Sequence, residues 1–210
     1  MKSPDLELKT KTAAVILAGG KSSRMGQDKS LLEIGGRTLL ERVISSVSPL
    51  AGEIVIMLSQ TQKIPVIVSD NRPAIKYGRD HLPERGPLQG IADAIPYINK
   101  EMEYVFVLSC DLPHLTWEWL YQMQQDLVKS RFAQIVCSKD GNHLNPLIAI
   151  YRATILLDAT SLVKSGKSSC LALLDDRKVI HVSPPQTQSH IISNINTPLD
   201  YREALEKSDT

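Results

Sequence analysis

The chain has 210 residues, 42% hydrophobic and 22% charged, with 24 Lys plus Arg against 23 Asp plus Glu and a formal net charge of +1. That length can bury roughly 70% of the unfolded surface without staples, and the near-zero charge argues against an extended nucleic-acid surface. No apolar run approaches the ~18 residues of a membrane span, and residues 1–11 lack the apolar stretch of a signal peptide, so a cytoplasmic protein is expected.

The first apolar run, residues 13–18 (AAVILA), is short, β-branched at its middle and stopped by Gly19-Gly20. It reads as a buried strand. A polar, glycine-containing loop follows to Asp28. Thr38 and Glu41 have capping-box spacing, and Leu39, Leu40, Val43, Ile44 and Val47 keep a helical period. Residues 53–59 and 66–68 are strand-like. Residues 70–87 carry Pro73, Gly78, Pro83, Gly86 and Pro87 and read as one long loop, a kind of segment often tied to function. Leu88, Ile91, Ile95 and Ile98 mark a helix whose last turn Pro96 weakens. Residues 104–108 (YVFVL) form a strand ending at Ser109-Cys110-Asp111. Residues 116–129 are helical, with Leu120, Met123 and Leu127 inward. Residues 133–138 and 147–151 are strands, and 155–163 and 169–174 are short helices. Residues 179–182 are a strand, and Pro198 opens a final helix.

Strands alternating with helices predict an α/β sandwich with a mostly parallel sheet. There is no internal repeat, low-complexity segment or Pro/Gly linker. Residues 1–12 are expected as a flexible tail and 13–210 as one domain. Cys110, Cys137 and Cys170 form no CxxC pair, so buried, reduced thiols are expected rather than a zinc knuckle or redox dithiol.

The densest chemical signal is LAGGKSSRMGQDK, residues 17–29. It follows a buried strand, at the sheet edge where open α/β folds bind ligands. Gly19 and Gly20 let backbone N–H groups approach an anion. Lys21, Arg24 and Lys29 surround that point with charges that suit a triphosphate. The P-loop pattern GxxxxGK[ST] fails, because Val15 stands at its first glycine, and Gly166-Lys167-Ser168 fails likewise with Ser161 there. The GxGxxG dinucleotide pattern is also absent. Asp111, at a strand's carboxyl end facing the glycine loop, suits Mg²⁺; equally, an Asp before Leu-Pro can start a turn. Gly86-Pro87 can simply open a helix. Asn194 and Asn196 have period-two spacing and would face one side of an extended segment, while Asn196 or Thr197 can cap the helix at Pro198.

These segments resemble the molybdopterin nucleotidyltransferase family, and within it the molybdenum cofactor guanylyltransferases. The resemblance runs over about residues 13–205. Related cytidylyltransferases and sugar-phosphate nucleotidyltransferases read LAAG where this chain reads LAGG, so Gly19 leans toward the guanylyl branch. The resemblance implies a Rossmann-like, GT-A-like three-layer α/β sandwich. It implies transfer of GMP from Mg-GTP to molybdopterin carrying molybdenum, with pyrophosphate leaving. Leu17, Ala18, Gly19, Gly20 and Lys29 would bind nucleotide, and Arg24 and Lys29 would offset phosphate charge. Asp111 would hold Mg²⁺ within an Asp-x-Pro motif. Asp80, in DHLPERGPLQG, would contact guanine or ribose. Asn194 and Asn196, in NINTPLD, would lie beside the metal and the second substrate. In NHLNPLIAIY, Asn145 stands where the family has His or Gln before Pro146, with His143 two residues earlier, so neither inherits a role. Cofactor-biosynthesis or molybdoenzyme chaperone proteins would be further partners; nucleic acid and membrane would not. The alternatives are a molybdopterin cytidylyltransferase, a sugar-phosphate nucleotidyltransferase, or a non-catalytic nucleotide or cofactor carrier.

Overall fold

The structure is a computed structural model that describes residues 4–19, 28–65, 67, 73–81 and 85–206. Its sheet is built on three apolar runs that are buried along their whole length: β1 (Thr12–Leu17), β4 (Glu53–Leu58) and β6 (Tyr104–Ser109). Alternate residues feed opposite faces. Ala14, Ile16, Ile54, Ile56, Phe106 and Leu108 enter one core, and Ala13, Val15, Val55, Met57, Val105 and Val107 enter the other. Such runs fit only a sheet covered on both sides.

A seven-stranded sheet results, in the order β5-β4-β1-β6-β8-β7-β9. The further strands are β5 (Ala74–Arg79), β7 (Ile135–Asp140), β8 (His143–Arg152) and β9 (Val179–Val182). β5, β4, β1 and β6 are parallel, β8 runs antiparallel to both neighbours, and β7 pairs parallel with β9. Two helices, α2 (Leu39–Val47) and α4 (Trp117–Lys129), line the first core. On the second lie α3 (Pro87–Ala94), α5 (Ala153–Leu156), α6 (Asp158–Lys164) and the 3₁₀ turn Cys170–Leu173. The chain runs from β1 outward to β4 and β5, then returns to place β6 on β1's other side. That reversal makes the carboxyl ends of β1 and β6 a topological switch point, the place where open α/β sheets bind ligands.

Several expectations hold closely. Thr38 and Glu41 form a reciprocal capping box, and Thr116 caps α4. Pro96 falls where α3 gives way to a 3₁₀ turn, Ile95–Tyr97. Cys110, Cys137 and Cys170 are free and buried. Burial raises the Cys137 and Cys170 thiols to about 12 and Cys110 still further, so none is a thiolate near neutral pH.

Three elements differ. The long loop expected over 70–87 contains β5, an edge strand whose residues are mostly half-exposed. Gly78 interrupts its apolar pattern; a Cβ there would lie 2.6 Å from the Met57 sulfur. Within the expected tail, Asp5 caps a short helix α1 (Leu6–Thr10), and Lys11 pairs with Glu7 and Glu103. Gly35 and Gly36, both with positive φ, turn a small hairpin of β2 (Glu33–Ile34) and β3 (Arg37–Thr38) that the sequence reading passed over. The strand expected at 66–68 lies mostly outside the described residues.

The hairpin has its own small core. Leu32, Ile34 and Leu39 pack with Ile195 and Ala204, the latter on the final helix α7 (Pro198–Glu206). The Tyr201 hydroxyl donates to Glu33 O at 2.6 Å. Arg42 of α2 donates to Ile34 O and to Pro113 O, tying the hairpin to the loop after β6. Among the described residues, no helix is long and apolar enough to cross a membrane.

Candidate active site

At the carboxyl end of β1, the amides of Ala18 and Gly19 both donate to Met57 O at 2.9 Å, which holds the strand end against β4. The Asp28 carboxylate accepts from the Ser30 amide at 3.0 Å and caps the 3₁₀ turn Lys29–Leu31. Lys29 is the first residue of that turn. Its ammonium reaches Asp111 Oδ2 at 3.4 Å and donates to Asn196 Oδ1 at 3.0 Å. Residues 82 and 167 positions apart in sequence thus meet at one nitrogen.

Asp111 is fixed by its backbone. Cys110 N–H donates to Leu17 O at 3.2 Å, and Asp111 O accepts from Ile195 N–H at 2.9 Å. Ile195 is buried between half-buried Asn194 and exposed Asn196. The two asparagines therefore flank an anchored residue. Thr197 takes the capping role: its hydroxyl accepts from the Asp200 amide, and Asp200 accepts from the amides of Asn196 and Thr197. Those bonds, that from Asn196 foremost, hold the Asp200 carboxyl below its usual value. The capping duty falls on Thr197, which leaves both asparagine side chains for other work.

The Lys29–Asp111 pair is largely enclosed, with side chains 19% and 14% exposed. Asp111 Oδ1 is buried and has no hydrogen-bond partner. A buried carboxylate oxygen left unpaired is costly, and a cation at that point would satisfy it. The neighbouring oxygens are hard: the Asp111 carboxylate and, across the Lys29 ammonium, the Asn196 carboxamide. Among the described residues no group of three or more His, Cys, Asp or Glu could hold a metal by itself. A single carboxylate suits Mg²⁺, which keeps waters and takes its other ligands from substrate phosphates.

Asp80 follows β5 directly, so the strand that the sequence reading passed over is what carries it to this edge. Its carboxylate occupies the space that side chains at two glycines would take. A Cβ on Gly19 would lie 3.0 Å from Asp80 Oδ2, and one on Gly90 would lie 3.3 Å from Oδ1. Burial raises the Asp80 carboxyl to about 6, nearby Asp93 adds to the shift, and His81 opposes it. Asp93 is held by the His81 amide at 2.8 Å and by Gln89 Nε2 at 3.0 Å. Leu17 lies against Gly90 on the same face. Gly86 has φ 81°, and a Cβ there would lie 2.7 Å from Ser168 O, so the glycine is required for the turn into α3.

Gly20 and Arg24 lie outside the described residues. Asn145 does local work instead of meeting the site: its Oδ1 accepts from the Leu147 amide at 3.2 Å, where β8 bulges against β7. His143 is exposed at the hairpin end. Gln62 went unremarked in the sequence, yet its carboxamide bonds to Ala18 O and to Asp28 Oδ2, either side of the glycine-containing segment. Asp93 was also missed. No motif spacing marks either residue.

Residues 14–179 match the family profile described as MobA-like NTP transferase domain. The chain belongs to that family. It is a nucleotidyltransferase. A probable molybdenum cofactor guanylyltransferase from Carboxydothermus hydrogenoformans is 31% identical over 198 residues, covering 90% of this chain and 93% of that protein. The crystal structure of molybdopterin-guanine dinucleotide biosynthesis protein A from Archaeoglobus fulgidus has a TM-score of 0.72 at 20% identity, covering 94% of this chain and 98% of that one. The 2-C-methyl-D-erythritol 4-phosphate cytidylyltransferase of Thermus thermophilus has a TM-score of 0.67 at 15% identity, covering 94% and 98%. At those two identities the likeness is one of fold. A fold shared with a cytidylyltransferase does not choose the base.

Proposed function

We propose that this chain transfers GMP from Mg-GTP to the terminal phosphate of molybdenum-bound molybdopterin, giving the guanine dinucleotide form of the cofactor and pyrophosphate. The carrying observation is Lys29 Nζ standing between Asp111 and Asn196, beside a buried Asp111 oxygen with no partner. The guanylyltransferase named among the relatives supports the choice of substrates.

The residues suit the chemistry. A phosphate monoester has its second pKa near about 6, so it is ionised near neutral pH and attacks the α-phosphorus without a general base. The barrier is the meeting of anions. Lys29 would bind the triphosphate and offset its charge, with Arg24 assisting. Asp111 would hold Mg²⁺, with Asn194 or Asn196 at its side. When bound, that ion would neutralise phosphate charge and ease the departure of pyrophosphate. The Asp80 carboxylate would accept from guanine N1–H and N2–H₂. Asn194 and Asn196 would orient the acceptor phosphate, and the rest is alignment. We take residues 13–210 as one catalytic domain. The free, buried cysteines support a reducing, cytoplasmic setting.

Pyrophosphate release from GTP, CTP, ATP and UTP, with and without molybdopterin, tests this reading. Release from GTP that requires molybdopterin is expected. Preference for CTP would make the chain a cytidylyltransferase. Release with a sugar phosphate in place of molybdopterin would move it to that class. Stabilisation by Mg-GTP with no release would make it a carrier.

A further inference from the structure

We propose that Gln62 is a positioning residue whose carboxamide clasps both ends of the nucleotide loop, Ala18 and Asp28, to the carboxyl end of β4 and so sets where Lys29 stands. Gln62 Oε1 accepts from the Ser59 amide at 3.1 Å. Its Nε2 donates toward Ala18 O at 3.3 Å, Asp28 Oδ2 at 2.5 Å and Ser30 Oγ at 3.0 Å. The Ser30 hydroxyl proton is already engaged with Asp28 Oδ1 at 2.7 Å, so Ser30 can only accept here.

The partners dictate how the amide is turned. A peptide N–H can only donate, and a carbonyl and a carboxylate can only accept. Gln62 therefore meets one donor with its oxygen and turns its two N–H bonds toward three acceptors, one N–H being shared. Glutamate has the same length and shape, but it would set an oxygen against all three acceptors, one of them charged. The site requires an amide of this length.

The clasp stands on a fixed turn. The Gln62 amide donates to Ser59 O at 3.3 Å, closing the turn from Ser59 to Gln62. Arg79, the last residue of β5, spans it with one nitrogen that donates to the carbonyls of Ser59, Gln60 and Gln62 at 2.7–2.9 Å. Gln60 of the same turn donates to the Asp80 carbonyl. Asp28 in turn caps the 3₁₀ turn that begins at Lys29. One turn thus joins the residue that carries Lys29 to the backbone of Asp80. Displacing Asp28 displaces the Lys29 ammonium from Asp111 and Asn196. The consequence for catalysis rests on the reading that Lys29 serves the triphosphate.

The test compares Gln62→Glu, Asp28→Asn and the double variant with wild type. It uses steady-state kinetics with Mg-GTP and molybdopterin, equilibrium titration of Mg-GTP alone, and thermal melting. Losing a charge-assisted hydrogen bond and gaining an acceptor clash should lower kcat/KM for GTP about 100-fold in Gln62→Glu. The KM for molybdopterin should change several-fold less than kcat/KM for GTP, since the clasp reaches that side only through the Lys29–Asn196 contact. In the double variant, the amide introduced at position 28 can keep its oxygen on Ser30 and offer its nitrogen to the carboxylate introduced at position 62, so about tenfold of the loss should return. Wild-type GTP kinetics in Gln62→Glu would overturn the clasp. So would equal losses for both substrates with a lowered melting temperature and no recovery in the double variant, which would mark a merely structural role. The two readings fail separately. If wild type uses another triphosphate, the proposed base falls while the variant-to-wild-type ratio is read with that triphosphate. If the acceptor is wrong, the Mg-GTP titration still reports the clasp.

Discussion

Replacing Gly19 by alanine adds one methyl at the point where three parts of the site meet. The new Cβ would lie 2.8 Å from Ser59 N, 3.0 Å from Leu58 C and 3.0 Å from Asp80 Oδ2. Two of these are backbone atoms at the end of β4, and Gly19 is itself hydrogen-bonded to Met57 O. The strand ends resist movement, so the Asp80 carboxylate is the group that yields. Overpacking of this kind costs about 1–3 kcal/mol. At about 2–4 °C per kcal/mol for a chain of this size, melting should fall by about 2–12 °C. Under the proposed Asp80–guanine contact, moving the carboxylate removes hydrogen bonds to a charged group, about 1.5–3 kcal/mol, or about 10- to 150-fold in kcat/KM for GTP. The same change converts LAGG to LAAG, the form of the related cytidylyltransferases, so CTP use should fall less than GTP use or rise. The assays are thermal melting and kinetics with both nucleotides. Unchanged melting together with unchanged GTP kinetics would refute the idea that Gly19 makes room for Asp80.

Other substitutions separate the remaining roles. Asp111→Ala should cut turnover at least about 10²- to 10³-fold while the protein melts near the wild-type temperature; near-normal activity would remove Asp111 from the metal site. Lys29→Ala should lower kcat/KM for GTP by about 10²- to 10³-fold, and an unchanged value would sink the triphosphate role. Asn194→Ala should raise the KM for molybdopterin more than that for GTP, and a defect confined to GTP would place it on the other substrate. Burial raises the Asp80 carboxyl from 3.8 to about 6, with Asp93 reinforcing the shift and His81 opposing it. The folded state therefore holds that proton more tightly, and stability is lost as pH rises from about 4 through 6. Asp80→Asn should be more stable than wild type above pH 6 in urea unfolding, with the two converging below pH 4. Under the proposed contact, wild-type kcat/KM for GTP should fall as pH drops through about 6, since only the ionised carboxylate offers two acceptor oxygens to guanine N1–H and N2–H₂; a flat profile there would argue against that contact.

What was legible in the sequence depended on how local its cause was. β1, β4 and β6 are continuous apolar runs because both faces are buried, so composition alone revealed them. The caps at Thr38 and Thr116 are three-residue patterns and could be read directly. β5 was hidden because it is an edge strand, mostly half-exposed, with Gly78 breaking its alternation, and with it went the reason that Asp80 reaches the site. The meeting of Lys29, Asp111 and Asn196 was foreshadowed by motif resemblance, but their contact follows from the strand reversal at β1 and β6, which no local pattern states. Asp93 and Gln62 left no mark at all. Each is an ordinary polar residue whose importance comes from partners brought near by the fold, as Gln62 is bound to Asp28 from 34 positions away. The net charge of +1 was similarly uninformative, because a sum over the whole chain does not say that Lys29 and Asp111 meet.

The most direct test of the account is the identity of the pterin product. Wild-type protein would be incubated with Mg²⁺, GTP and molybdenum-bound molybdopterin, and the pterin fraction analysed by mass spectrometry alongside a pyrophosphate assay. The account predicts a guanine dinucleotide of the pterin, formed one-for-one with pyrophosphate and absent from the Asp111→Ala reaction. Recovery of unmodified molybdopterin, or of an adduct from CTP but not from GTP, would contradict it.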